Sequence, residues 1–242
     1  MFSLCIPTIN RFDEFLSKYI PKYLENEQIS EIIITDENGN DATKILNIFR
    51  DNPKIKLFVN KSVMGPFLNK MSACSKASNE WIVLIDSDNF ADIDYFNAAK
   101  QYIQTKISPD KKNIILAPSF AKPNFDYKNM SGFVYNKQNL RTQNIKLHNT
   151  ECLMNTGNFV INKFLIDNLN LKNEIDNIKM SSACDVIYFN TLLFEQLDLN
   201  MHIVPGMEYI HVVHDGSVYT NTCNNYKDFN NYVHSRYRSL FS

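Results

Sequence analysis

The sequence predicts an α/β fold, a largely parallel sheet flanked by helices, on three observations. Short apolar, β-branched runs alternate along the first half with segments whose apolar residues recur at helical spacing. Strand–helix–strand alternation of this kind implies a parallel sheet covered on both faces. Acidic residues also stand directly after two of the runs, Asp36-Glu37 and Asp86-Ser87-Asp88. Those are the carboxyl ends of strands, where such sheets bind ligands.

In chain order, FSLCIPT (2–8) reads as a buried strand. Phe12, Phe15, Leu16, Tyr19 and Tyr23 then mark a helix that Pro21 is expected to kink or end. EIIIT (31–35) is a strand, and Asp41 is placed to cap a helix carrying Ile45, Ile48 and Phe49. KIKLFVN (54–60), a helix from Pro66 to Ala77, the strand WIVLI, a helix over 93–105 and the strand NIILAP (113–118) follow. Residues 121–150 are polar and weakly periodic, hence loops with one hairpin near GFVYN. Beyond them the pattern gives a short strand at NFVIN (158–162), a helix over 182–198, and a strand pair around HIVPG and EYIHVV. The stripe Phe229, Tyr232, Val233, Arg236, Tyr237, Leu240 reads as a packing face, its basic residues leaving peripheral membrane contact open. No repeat and no linker divides the chain, so 1–242 reads as one domain.

Composition narrows the function. At 242 residues the chain is long enough for a full core, and 44% hydrophobic with 21% charged residues is ordinary for a globular protein. A formal net charge of -1 argues against a broad nucleic-acid surface. The five cysteines (Cys5, Cys74, Cys152, Cys184, Cys223) are scattered and form no CxxC, which speaks against a disulfide framework. The N-terminus lacks a basic region before an apolar one, and no apolar run approaches the ~20 residues of a membrane span. A cytoplasmic protein without an integral span is the expectation.

The segment EWIVLIDSDN concentrates the chemical question. If strand geometry persists through Ser87, Asp86 and Asp88 point to the same side, and two close carboxylates are costly without a cation or proton between them. An oxygen-rich site of this type suits Mg²⁺ or Mn²⁺ sharing its coordination with water and phosphate oxygens. The alternative is a loop in which Asp and Asn cap the next helix.

Three motifs in order resemble family 2-type glycosyltransferases of the GT-A fold. SLCIPTINR resembles that family's first strand and I-P-T-x-N-R loop. EIIITDENGND is similar to its strand followed by D-D-G-S-T-D, with Asp36, Glu37 and Asp41 at the acidic positions. FLNKMSACSKASNEWIVLIDSDN resembles its A-R-N-x-G block running into D-x-D, with Lys70 on the Arg, Ala77 on the Ala, Glu80 on the Glu and Asp86-Ser87-Asp88 on the metal motif. The match is close over about the first 90 residues and looser afterwards. NTGNFVINK resembles a glycine segment before the acceptor site, with Gly157 in place. ACDVIYFNTLLFEQL resembles a helix opening with E-D, where Cys184 replaces Glu and Asp185 is kept. EYIHVVH resembles a late strand whose His helps bind metal or diphosphate, and His211 aligns better than His214. Met71 and Ala73 replace an Asn and a Gly, and Glu37 an Asp.

The resemblance implies a GT-A, Rossmann-like nucleotide-diphospho-sugar fold with a donor-binding half (1–118) and an acceptor half (119–242). It implies an inverting glycosyltransferase that takes a nucleotide-diphosphate sugar, a UDP-sugar first, and a sugar or other hydroxyl acceptor. Donor binding falls to Pro7, Thr8, Asn10, Arg11, Asp36, Glu37, Lys70, Asp86, Ser87, Asp88 and Gly157. Mn²⁺ or Mg²⁺ falls to Asp88 and Asp86 with His211 or His214, and the catalytic base to Asp185. Phe125, Tyr127, Phe133 and Tyr135 are available to stack on acceptor sugar rings.

Each role has a structural rival: Asp185 as a helix-dipole charge, Asp36 and Glu37 as turn acids, and the two histidines as hydrogen-bonded core residues. In a continuous strand, His211 and His214 would also face opposite sides. Cys184 is a small buried residue rather than a nucleophile. Three other functions compete. A nucleotidyltransferase would want a Gly-rich basic loop after the first strand, which PTINRFDEF lacks. A phosphohydrolase would place its D-x-D near the N-terminus. A degenerate, non-catalytic binder of nucleotide or glycan would explain Cys184, Met71 and Ala73, but not the retention of the DSD acids, Asp185 and His211.

Overall fold

The computed structural model describes residues 1–142, 153–154, 157–178, 180–217 and 225–241. Cys152, Cys223 and the 143–150 part of the irregular stretch lie outside them. Strand β1 spans Phe2–Thr8, helix α1 Ser17–Glu25, β2 Ile29–Asp36, α2 Asn40–Phe49, β3 Ile55–Val59, α3 Pro66–Ser75 and β4 Trp81–Leu84. Next come α4 (Ile93–Lys106), β5 (Ile114–Lys122), β6 (Phe125–Asp126), β7 (Val134–Tyr135) and α5 (Lys137–Thr142). The remainder is β8 (Val160–Asn162), α6 (Lys163–Asn168), α7 (Phe189–Leu197), β9 (Asn200–Ile210) and α8 (Lys227–Arg238).

One mixed sheet runs β3-β2-β1-β4-β8-β5-β9-β7, with β6 added on β5. The block β3-β2-β1-β4 is parallel, as is β5 with β9, whereas β8 is antiparallel to both β4 and β5. The near-continuous apolar strands are explained by burial on both faces. Leu4, Ile6, Ile32, Ile34, Val83 and Ile85 pack on α1, α2 and α4. The intervening Cys5, Ile33, Ile82 and Leu84 face α3, α6, α7 and α8.

Several elements depart from the sequence reading. Pro21 lies inside α1 and does not end it. The helix is entered through a wide turn over Phe12–Leu16, in which the Leu16 N–H reaches back to the Arg11 carbonyl at 3.1 Å, and buried Ile20 and Tyr23 hold it to the sheet on either side of the proline. The strand pair at HIVPG and EYIHVV is one strand, β9. Pro205-Gly206 forms a bulge against β5, between the Pro118–Val204 and Phe120–Glu208 pairs, with Gly206 at φ 75°. The GFVYN segment is no hairpin, because Val134 and Tyr135 pair with His202 and Met201 of β9. Tyr127 and Tyr135 are core side chains, 4% and 1% exposed, and cannot stack on a sugar, whereas Phe133 is 45% exposed. The C-terminal stripe packs as expected, with Val233 and Tyr237 buried and Arg236 turned onto Glu174 (2.9 Å) and Glu195 (2.6 Å). No helix among the described residues is long and apolar enough to cross a membrane.

Candidate functional site

The parallel strands β2, β1 and β4 deliver their carboxyl ends side by side. Past β1, the chain turns at Asn10, whose φ of 55° suits asparagine better than most residues. Asp41 holds this turn. Its carboxylate accepts from the Thr8 hydroxyl (2.5 Å), the Arg11 N–H (2.9 Å) and the Phe12 N–H (2.9 Å). Asp41 therefore does not cap α2. That work falls to Asp36, fully buried, which accepts from the N–H of Asn38 (3.2 Å) and Ala42 (2.8 Å). Each oxygen of Asp36 thus accepts one backbone N–H bond. Glu37 accepts from the Met64 N–H at 2.6 Å, and burial holds its carboxyl above the usual range against the N–H groups of Met64 and Gly65. Pro7 and Thr8 are buried in β1, while Asn10 lies on the surface and accepts from the side-chain amides of Asn38 and Asn40.

At the end of β4 the strand geometry that would set Asp86 and Asp88 on the same side does not persist. The strand stops at Leu84, and the Asn89 N–H closes a turn on the Asp86 carbonyl at 2.9 Å, with Ser87 buried inside it. Each carboxylate consequently finds its own counter-group. Asp86 Oδ1 pairs with Lys70 Nζ at 2.8 Å, and its Oδ2 accepts from the Asn158 amide at 3.2 Å. Asn158 also accepts from the Asp86 N–H at 2.7 Å, so it grips both backbone and side chain of the acid. Asp88 Oδ2 lies 3.0 Å from His214 Nε2. Burial, together with Asp86, raises the Asp88 carboxyl above its ordinary range against the opposing pull of His214.

Lys70 is the centre of the site. Its ammonium also meets Asp185 Oδ2 at 2.6 Å, joining the first acid of DSD to the acid of the second half. Burial opposes the lysine charge, but Asp185 and Asp86 together more than offset it and push its pKa up. Asp185 is raised by burial, against the lowering pull of Lys70. It stands in a wide turn over Cys184–Tyr188, in which the Tyr188 N–H donates to the Ala183 carbonyl at 3.0 Å. Such turns, with one extra residue per hydrogen bond, recur at functional sites. Gly157 leaves the room this cluster needs: a Cβ there would lie 2.8 Å from Val186 Cγ1 and 2.9 Å from Lys70 Nζ.

Beyond β9 the chain crosses over Asp88. Phe90 and Ile210 exchange backbone hydrogen bonds (3.0 and 2.8 Å), and Asn89 accepts from the Val212 N–H at 2.9 Å. Arg11 Nη2 donates to the Gly216 carbonyl at 2.5 Å, and the Phe15 ring packs 5.3 Å from His214. Because β9 ends at Ile210, the strand alternation that set His211 and His214 on opposite sides does not apply. His214 is the one at Asp88, whereas His211 contacts Asn124 at 2.7 Å. Burial lowers the His211 pKa against the attraction of Asp86 and Asp88.

The structure thus brings Lys70, Asp86, Asp88, Asp185, Gly157, His214 and Arg11 to one mouth, and leaves Asp36 in the scaffold beneath it. Asn158, Asn89 and Asn124 escaped the sequence reading. Asn158 carried a signal, a polar residue beside Gly157 at the start of an apolar run, whereas Asn89 and Asn124 carried none.

Residues 3–168 match the glycosyl transferase family 2 model. The chain belongs to that family. No curated protein matches it at comparable stringency. Among solved structures, S. aureus TarS is similar at TM-score 0.59 and 14% identity, over 88% of this chain and 37% of that one. TarS 1-349 in complex with UDP-GlcNAc gives 0.58 and 15%, over 89% and 59%. The same TarS segment in complex with UDP gives 0.60 and 13%, over 99% and 69%. The family 2 chain therefore spans between about two fifths and two thirds of these proteins, and at such identity the likeness is one of fold. Its Glu80, matched to the family's Glu, lies at the far end of β4 from the site and pairs with Lys112.

Proposed function

We propose that this chain transfers a sugar from a nucleotide-diphosphate sugar, a UDP-sugar first, to a hydroxyl of a sugar acceptor with inversion. The observation that carries the reading is the Asp86–Lys70–Asp185 bridge, which ties the acidic mouth of the donor half to a buried carboxylate of the acceptor half. Family membership supports glycosyl transfer, and the UDP and UDP-GlcNAc complexes of TarS support the choice of donor.

Asp185 supplies the base. Its Oδ2 is held by Lys70, so Oδ1 is the oxygen available to the acceptor proton, and a carboxyl raised by burial holds that proton better than an exposed one. The acceptor oxygen then attacks the anomeric carbon from the face opposite the diphosphate, which departs with the bonding electrons. Charge gathers on the bridging oxygen during this step. Lys70 fixes the direction of Asp185 and damps the repulsion between the two acids. Arg11 brings a guanidinium toward the anionic donor from the β1 side.

A divalent cation fits two of the implied ligands. Asp88 offers a hard oxygen and His214 a nitrogen beside it, and Mg²⁺ or Mn²⁺ commonly takes one or two protein groups plus substrate phosphates. Asp86 fits less well, since both its oxygens are engaged by Lys70 and Asn158. When bound, the ion would act as a Lewis acid on the diphosphate.

The test is thermal stability of the wild type and Asp88→Ala against UDP, GDP, CDP, dTDP and ADP, each with and without Mn²⁺. At a hundred times its dissociation constant a ligand adds about 2.7 kcal/mol, roughly 5–10 °C for a chain of this size. A UDP shift that needs Mn²⁺ and disappears in Asp88→Ala is expected. No shift with any nucleotide would overturn the reading and favour a non-catalytic glycan binder, for which Met71, Ala73 and Cys184 speak.

A further inference from the structure

His211 and His214 lie three residues apart past the end of β9, and the family histidine that binds metal or diphosphate aligns better with His211 than with His214. The structure separates them. The Asn124 amide nitrogen sits 2.7 Å from His211 Nδ1 and 3.2 Å from the His211 carbonyl oxygen. Its two N–H bonds are thus divided between a ring nitrogen and a backbone oxygen of one residue. The carbonyl decides the orientation. An amide turned the other way would set its oxygen against the His211 oxygen, two acceptors facing each other. With the amide so fixed, Nδ1 can only accept, and a neutral ring must carry its proton on Nε2.

Both partners are anchored. The His211 N–H donates to the Lys122 carbonyl (2.7 Å) and the Asn124 N–H to Ala121 (2.8 Å), so the two backbones are stitched across one turn. Phe125 packs on the ring at 5.3 Å and Tyr209 meets it edge-on at 6.2 Å. Nε2 is the ring nitrogen left over by the Asn124 contact, and the charges of Asp86 and Asp88 act on this ring.

We propose that Asn124 is a positioning residue that locks His211 as an Nε2–H donor, which withholds it from metal coordination and directs a neutral hydrogen bond to an anionic oxygen of the donor diphosphate. The lock is a property of the free chain, whereas its use on a diphosphate rests on the proposed function. The division of labour follows from the contacts: His214 beside Asp88 takes the cation, and His211 takes an oxygen. A histidine ligating through Nε2 would need its proton on Nδ1, where Asn124 presents a donor and nothing to accept it.

The first test uses the full chain, ¹⁵N-labelled at its five histidines, without nucleotide or metal at pH 7.5. A long-range ¹H–¹⁵N spectrum reads the tautomer, with His211 assigned by its loss in His211→Gln. The expected pattern is protonated Nε2 and bare Nδ1. Asn124→Asp, whose carboxylate accepts where the amide donates, should place a proton on Nδ1. An Nδ1–H or exchanging ring in the wild type, or an unchanged pattern in Asn124→Asp, would overturn the lock. The second test titrates UDP in saturating Mn²⁺. His211→Ala should weaken UDP about tenfold, His211→Gln should recover most of it, and the Mn²⁺ dependence should stay within twofold of wild type. A Mn²⁺ requirement raised tenfold or more in both variants would make His211 a ligand and end the proposal. Should the wild type bind no UDP, the donor reading falls and the spectrum still decides the lock.

Discussion

Replacing Lys70 by methionine keeps most of the side-chain volume and removes the one ammonium shared by two carboxylates. In the wild type that ammonium is 2.6 Å from Asp185 and 2.8 Å from Asp86, with the lysine side chain 7% exposed and that of Asp185 10%. Removing one partner from a buried ion pair costs about 3–5 kcal/mol, because an uncompensated charge stays behind. Asp86 is 30% exposed and recovers part of its solvation, so the lower half of that range is expected. At roughly 2–4 °C per kcal/mol for a chain of this size, the melting midpoint should fall by about 6–16 °C near neutral pH. The loss must also depend on pH. Burial already raises Asp185 above the ordinary carboxylate range, and without Lys70 it rises further. A group whose folded pKa exceeds its unfolded value, about 3.9 for Asp, favours the folded state fully below the unfolded pKa, and that contribution is lost as pH rises through the folded one. The gap between Lys70→Met and wild type should therefore narrow as pH falls from 8 toward 5, measured by thermal or urea denaturation at each pH. A gap below about 1 kcal/mol, or one that stays constant over that range, would refute the shared-cation account.

Two further outcomes follow from the same cluster. Gly157→Ala sets a methyl group 2.8 Å from Val186 Cγ1 and 2.9 Å from Lys70 Nζ, so overpacking should cost about 1–3 kcal/mol in denaturant and lower turnover by displacing Lys70; unchanged stability and turnover would mean that the crowding is relieved elsewhere. Asp185→Asn removes the base but keeps its shape, so UDP affinity should change less than threefold while transfer falls by about 10²–10⁴; wild-type turnover would remove Asp185 from the reaction.

Much of the fold was legible because its signals are local. The runs at Phe2–Thr8, Ile29–Asp36 and Trp81–Leu84 are apolar on both faces, and only a strand covered by helices on both sides makes use of that. The misreadings arose where a local rule met a tertiary override. Pro21 should end a helix, but a wide turn before it and buried neighbours carry the helix through. Pro205-Gly206 should break a strand, and instead bulges out of a ladder that β5 keeps in register on either side. Tyr127 and Tyr135 looked like platforms for a sugar because a polar stretch surrounds them, yet their own rings are core.

By itself the sequence placed acids at the carboxyl ends of strands of an α/β sheet, and singled out Asp86, Asp88 and Asp185 as candidates for the chemistry. Periodicity, caps and motif spacing are written in neighbouring residues and survive any rearrangement of the rest. Only the tertiary structure decided that Asp36 caps a helix while Asp41 holds the loop after β1, that Asp86 and Asp88 part toward Lys70 and His214, and that His211 turns to Asn124. These contacts join residues from separate strands and loops. Which of them meet depends on which strand ends lie side by side, and in this sheet the order β2-β1-β4-β8 brings the end of β4 beside the segment that leads into β8, where Gly157 and Asn158 meet Lys70 and Asp86.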